Sequence, residues 1–235
     1  MVYVEGGTFQ MGRANSSTSE PVHSVTLNDF YIGKYVVTQA QYEAIMGCNP
    51  SKFSGTNNPV ENVNWDEAVE YCRKLSKIKG VTYRLPTEAE WEFAARGGNQ
   101  GSVYGGSGGY DYAGSDDIYA VAWHWGNSNE STHQVGGKQP NELGIFDMSG
   151  NVNEWCSDWY DSDYYKNSTS NNPIGPGIGR SRVVRGGYWY AHPAYCRVFR
   201  HPGYGTYAEL CRIWNRDYAP PTSRKDYTGF RVVRN

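Results

Sequence analysis

The chain has 235 residues, 38% hydrophobic and 20% charged, with a formal net charge of -2. It is long enough to bury a sizeable core, as one large domain or two small ones, and its balance excludes a disordered, highly charged protein. No run approaches 18 apolar residues, so no membrane-spanning helix is expected, and the start lacks the charged, apolar and small-residue order of a signal peptide. The excesses are 28 Gly, 20 Tyr and 8 Trp, a composition of turns and irregular segments pinned by large rings whose polar edges need partners.

In chain order, VYVEGGTFQMG (residues 2–12) alternates as a hairpin does, with glycines at its bend, and HSVTLNDFYIGKYVVT (residues 23–38) continues as strand broken at Asn28 and Asp29. Thr38 caps a short helix closed by Gly47. The next helix is clearer: Asn64 caps it, Glu67 completes a capping box, Trp65, Ala68, Val69, Cys72 and Leu75 form one face, and Gly80 ends it. LPTEAEWEFAARGG (residues 85–98) repeats this grammar with Thr87, Glu90 and Gly97. Its glutamates are expected to cap and to face solvent rather than to act on a substrate. From residue 97 onward regular structure thins out. A glycine-rich loop is followed by short strand candidates, among them AVAWHWG (residues 120–126), SRVVRGGYW (residues 181–189) and GFRVV (residues 229–233). No phosphate-binding glycine loop, HExxH or close His/Cys cluster occurs, and no repeat of solenoid period.

The five cysteines, at 48, 72, 156, 196 and 211, are odd in number and widely spaced, so they make no disulfide framework. Cys72 reads as a small buried hydrophobe, and a Cys196–Cys211 bridge stays open as an alternative. Charge is uneven: residues 182–235 hold ten Lys or Arg against three acids. A nucleic-acid reader would explain a basic, aromatic tail, yet no recognition helix, zinc finger or aromatic sheet motif accompanies it. Arginines that tie irregular backbone together through five fixed donors are the favoured explanation, and no nucleic-acid partner is expected. In PNELGIFDMSGNVNEWCSDWY (residues 140–160), Asp147 and Glu154 supply hard carboxylate oxygens with Gly150 between them, where the backbone can turn and offer carbonyls. That pattern suits calcium, or else a polar turn whose carboxylates satisfy backbone N–H groups.

GGTFQMG, YRLPTEAEWEFAARGG, PNELGIFDMSGNVNEW, RVVRGG and GFRVV occur in this order over nearly the whole chain. Together they resemble the formylglycine-generating enzyme, or sulfatase-modifying factor, family. The resemblance implies a single domain over residues 1–235 of α+β class. Its fold would be a glycine-rich variant of the C-type lectin fold, with small antiparallel sheets, two principal helices and extensive irregular structure. It also implies calcium ligands at Asp147 and Glu154 through their side chains and at Gly150 and Val152 through their carbonyls. Asn153 departs from the Trp usual in the family. Family enzymes bind copper with two cysteines five residues apart while oxidising a sulfatase cysteine. Cys196 matches the first, but His201 stands at the second position, so copper is not expected and no catalytic residue is assigned. A sulfatase-maturation-like oxidase with an altered copper site is the alternative.

In the tail, Cys211, Arg212, Arg216, Pro221, Arg224 and the closing GFR alternate with patches such as DYA and KDYT. This pattern also resembles the variable proteins of diversity-generating retroelements, of a surface-displayed Treponema type. The resemblance implies a noncatalytic ligand-binding protein at the cell surface or outside the cell. Residues 186–231 would be its variable region, rewritten by error-prone copying of an RNA template at adenines. The expected ligand face is Tyr188, Tyr190, His192, Tyr195, Phe199, His201, Tyr204, Tyr207, Trp214, Asp217, Tyr218, Ser223, Lys225 and Tyr227. Tyrosine suits such a face, because a rigid ring gives contact area at low entropic cost. Burial is the alternative for Tyr195 and Trp214, a turn for His201 and solvation for Lys225; Trp189 and Phe230 read as core. The partner is an unidentified protein or carbohydrate, on a host or another cell.

Overall fold

The computed structural model describes residues 1–101, 109–191 and 209–235. The expected opening hairpin is not formed. Strand β1 (Val2–Val4) pairs antiparallel with β4 (Phe30–Ile32), while β2 (Gly7–Met11) pairs antiparallel with β3 (His23–Leu27). Glu5 and Gly6, between β1 and β2, carry the chain from one sheet to another. Asp29 fixes that crossing by accepting from the Tyr3 hydroxyl at 2.7 Å and the Gly6 N–H at 2.8 Å. Gly6 is required there, since a Cβ would stand 2.4 Å from the Leu27 carbonyl oxygen. The C-terminal strand β9 (Val233–Arg234) joins β4, so both ends of the chain lie in one sheet of order β1-β4-β9.

The helices begin where the sequence places them. In α1 (Gln39–Met46), α2 (Trp65–Lys79) and α3 (Glu88–Ala95), the Thr38, Asn64 and Thr87 side chains accept from the third helical N–H, and Gln41, Glu67 and Glu90 reach back to the cap. Val69 departs from the expected apolar face: it is exposed, while Ala68, Tyr71 and Cys72 are buried. The segment AVAWHWG is not a strand. Residues Ile118–Val121 form the helical turn α4, capped by the Asp117 side chain, and Trp123 makes an isolated bridge to Gly150.

A four-stranded sheet of order β7-β6-β5-β8 forms the body, from β5 (Asn153–Trp159), β6 (Arg182–Arg185), β7 (Asp217–Ala219) and β8 (Thr228–Gly229). A single turn, α5 (Tyr164–Asn167), lies between β5 and β6. One core cluster joins β2, β3 and α3 to Met148, Cys156, Val183, Ile213 and Trp214; a second joins α1 and α2 to Trp155, Val184 and Phe230. Phe230 is therefore core, as expected.

All eight residues of α3 are buried, which overturns the expectation that its glutamates face solvent. Each instead meets arginine: Glu88 meets Arg216, Glu90 meets Arg84, and Glu92 meets both Arg185 and Arg96. Buried carboxylates survive only when paired and hydrogen-bonded. The basic tail thus supplies Arg185 and Arg216 as counter-charge for Glu92 and Glu88, on a helix more than 90 residues earlier, while Arg84 and Arg96 flank that helix in sequence.

Candidate ligand-binding face

Strand β6 ends at Arg185 and is followed by Gly186 and Gly187 at φ of 99° and 72°. Left-handed backbone favours glycine at both, and a Cβ on Gly187 would lie 2.8 Å from Cys211 Sγ. This pair turns the chain off the sheet and presents Tyr188–Tyr190. Trp189 points inward and is held on four sides. Its N–H donates to the Asn151 carbonyl at 2.9 Å, its Nε1–H to the Asp226 carbonyl at 3.0 Å, and its own carbonyl accepts from Ser128 Oγ at 2.8 Å. Phe53 meets its ring edge-on at 5.2 Å. Trp189 is the core residue the sequence suggested.

Tyr188 and Tyr190 flank this anchor and are half-buried. The Tyr188 ring stacks on Tyr227 with centroids 4.3 Å apart and planes at 20°, and Tyr190 lies 5.2 Å from Trp189. Tyr227 is fixed at the head of β8, where its carbonyl accepts from Asn153 N–H at 2.8 Å. The stack therefore closes the tail upon itself, since its partners come from opposite ends of residues 186–231. Burial, aided by Asp217 and Asp226, pushes the Tyr227 phenol up, so it remains a hydrogen-bond donor at neutral pH.

The other expected face residues separate. Asp217 acts on the Tyr227 phenol, whereas Tyr218, the next residue of β7, turns to the opposite side and stacks on Tyr160 at 4.3 Å. Ser223 and Lys225 sit in the turn before β8; Lys225 is exposed, and its carbonyl accepts from the N–H groups of Asn62 and Thr228. Trp214 does not belong to a face: it is buried in the larger core cluster, with the Arg13 and Arg212 guanidinium groups 4.6 and 5.4 Å from its ring. His192, Tyr195, Phe199, His201, Tyr204 and Tyr207 lie outside the described residues, as does Cys196. Sequence reasoning missed Lys52, Phe53 and Asp226, which buttress Trp189. Nothing periodic or motif-like in NPSKFSG marks Lys52 and Phe53, whereas Asp226 lies within the KDYT patch of the tail without being among the expected face residues.

The metal-like loop holds Asp147 and Gly150 in left-handed backbone, at φ of 57° and 77°. Asp147 is buried and accepts from Gly136 N–H at 2.7 Å. Burial raises its carboxyl to about 6, with that N–H and Arg231 opposing the rise and Glu154 adding to it. Glu154 is already committed. Arg231 grips it with Nε and Nη2, both at 2.6 Å, and Trp91 Nε1–H donates to it at 2.9 Å. Arg231 also donates to the carbonyls of Gly33 and Phe146. In this arrangement Glu154 does not fit a calcium ligand, because a divalent ion at its oxygens would meet the guanidinium. Asp147 and the carbonyls of Gly150 and Val152 do not make a full oxygen shell. Burial also holds two cysteines as unreactive thiols, Cys72 at about 12 and Cys156 well above its ordinary value.

Residues 1–235 match the sulfatase-modifying factor enzyme 1-like domain. The chain is 39% identical over 210 residues to "Chaperone protein LppX" of Paenibacillus barcinonensis, covering 68% of this chain and 71% of that one. To the formylglycine-generating enzyme of Streptomyces coelicolor it is 31% identical over 261 residues, covering 85% and 81%. The solved structure of Treponema denticola variable protein 1 superposes with a TM-score of 0.84 at 30% identity, over 100% of this chain and 94% of that one. With its small sheets, few helices and family motifs in register, the chain has a C-type lectin-like fold of the formylglycine-generating type and belongs to the sulfatase-modifying factor enzyme 1-like family.

Proposed function

We propose that this protein is a noncatalytic ligand-binding member of its family, with a diversified face in residues 186–231 displayed at the cell surface. The observation that carries this reading is the Tyr188–Tyr227 stack, which joins both ends of the tail on a scaffold fixed by Trp189 and β8. Aromatic rings held on a rigid base are suited to a partner that changes from one variant to another, because they contribute area without new ordering cost. The ligand is a protein or a carbohydrate. The likeness to a Treponema variable protein supports the reading, and so does the histidine at the position of the second copper-binding cysteine. The basic tail is no argument for nucleic acid, since Arg185, Arg216 and Arg231 are buried in ion pairs.

Relatives that generate formylglycine and the match at Cys196 favour a second reading, an oxidase with an altered copper site. One assay separates the two. Purified protein given copper, oxygen and a cysteine-containing sulfatase peptide forms no formylglycine under the first reading. Product that depends on Cys196 establishes the second. Diversification has its own test: the genome should carry a reverse-transcriptase gene and a near-copy of the segment encoding residues 186–231, differing where the copy has adenine. A complete genome without such a copy removes diversification and leaves the fold untouched.

A further inference from the structure

Glu61 is fully buried, yet it lies in no helix and meets no arginine among the described residues. Its Oε1 accepts from Phe53 N–H at 2.9 Å, while Oε2 has no hydrogen-bond partner among the described residues. The charged groups that act on it are Lys52, from the loop after α1, and Asp226, from the turn before β8. Lys52 Nζ bonds the Asp226 carboxylate, the Asp226 carbonyl accepts from Trp189 Nε1–H, and Trp189 meets the ring of Phe53. These contacts close a circuit from Glu61 through Phe53, Trp189, Asp226 and Lys52. The circuit is the base of the Tyr188–Tyr227 platform.

We propose that Glu61 is a proton-operated latch beneath the ligand-binding face. When its carboxyl is protonated, Lys52 holds Asp226 and the Trp189 edge is closed. When it gives its proton to solvent, the new carboxylate draws Lys52 toward the unpartnered Oε2 and repels Asp226, and that edge loosens. Burial raises the Glu61 carboxyl to about 7, with the N–H groups of Phe53 and Lys52 and the Lys52 charge opposing the rise and Asp226 adding to it. The change therefore falls at neutrality. Lys52 can make it because its side chain is 57% exposed, with Nζ held by the Asp226 carboxylate and lying 5.0 Å from the Phe53 ring centre. The inference rests on the proposed face for its biological use, but the latch itself is measurable without a ligand.

The test follows the Trp189 indole N–H by NMR from pH 5.5 to 8.5, with Trp189→Phe to assign it. Wild type should show a transition near neutrality, and Glu61→Gln should stay at the low-pH position throughout. If Glu61→Gln does not fold, two partly exposed positions give the same information. Asp226→Asn should lower the midpoint and Lys52→Met should raise it, each by at least about half a pH unit. A flat Trp189 resonance, a transition that persists in Glu61→Gln, or a midpoint indifferent to both partner variants overturns the latch. A titrating Trp189 in a protein later shown to generate formylglycine would keep the latch and remove the proposed function.

Discussion

Replacing Arg216 with Met tests whether the basic tail is a structural counterweight to α3. The Arg216 guanidinium is buried and bonds Glu88 with Nε at 2.7 Å and Nη2 at 2.9 Å. Without it, Glu88 keeps two long contacts, the Tyr165 hydroxyl at 3.4 Å and Arg185 Nε at 3.7 Å. A buried carboxylate stripped of its partner costs about 3–5 kcal/mol. At about 2–4 °C per kcal/mol for a domain of this size, the thermal midpoint should fall by roughly 6–20 °C. Met preserves part of the packing over Tyr165, whose ring lies 4.0 Å from the guanidinium, so most of the loss is electrostatic. The double variant Arg216→Met/Glu88→Gln removes the stranded charge and should recover about 1–2 kcal/mol of it. Urea unfolding followed by circular dichroism measures both, with an unchanged slope showing that the same surface unfolds. A single variant that loses less than about 1 kcal/mol, or a double variant no more stable than the single, would show that Arg216 is not the counter-charge that Glu88 needs.

Stability should fall as pH rises from 5 to 8. Burial raises Glu61 and Asp158 to about 7 and Asp147 to about 6, so the folded state holds protons that the unfolded chain has already released. Their stabilisation is complete below the unfolded values and is lost as pH passes the folded ones, by up to about 3 kcal/mol for Glu61; a urea midpoint that climbs over this range contradicts it. Calcium and a chelator should give the same thermal midpoint, because Arg231 already neutralises Glu154; a saturable calcium-dependent rise would show that Glu154 exchanges arginine for metal. Tyr188→Ala and Tyr227→Ala should keep the wild-type near-ultraviolet dichroism outside the tyrosine band and abolish capture of a ligand selected on the wild-type protein; capture within twofold of wild type counts against the face. Duplex DNA and RNA should show no saturable binding near physiological salt, and a tight salt-sensitive complex in a filter assay would reverse that expectation.

Features that depend on near neighbours are legible in the linear chain. Thr38, Asn64 and Thr87 set the starts of α1, α2 and α3 because a cap and its box use groups only three residues apart. The family motifs carried the fold and the place of the tail within it. Tertiary structure decided the partners. Residues 2–12 alternate like a hairpin, but the pairing rests on Asp29, 23 residues beyond Gly6. Glu88 meets Arg216 across 128 residues and Glu154 meets Arg231 across 77, so helix glutamates that look solvated are buried, and a carboxylate that looks like a metal ligand has an internal cation. The uneven charge of the chain was the trace these pairs left, with no sign of which arginine would meet which acid. Trp214 and Trp189 went to the interior while Tyr188 and Tyr227 met at its edge. Burial and ion pairing are satisfied by whatever the folded chain brings close, and unlike a cap they impose no spacing that a linear sequence could show.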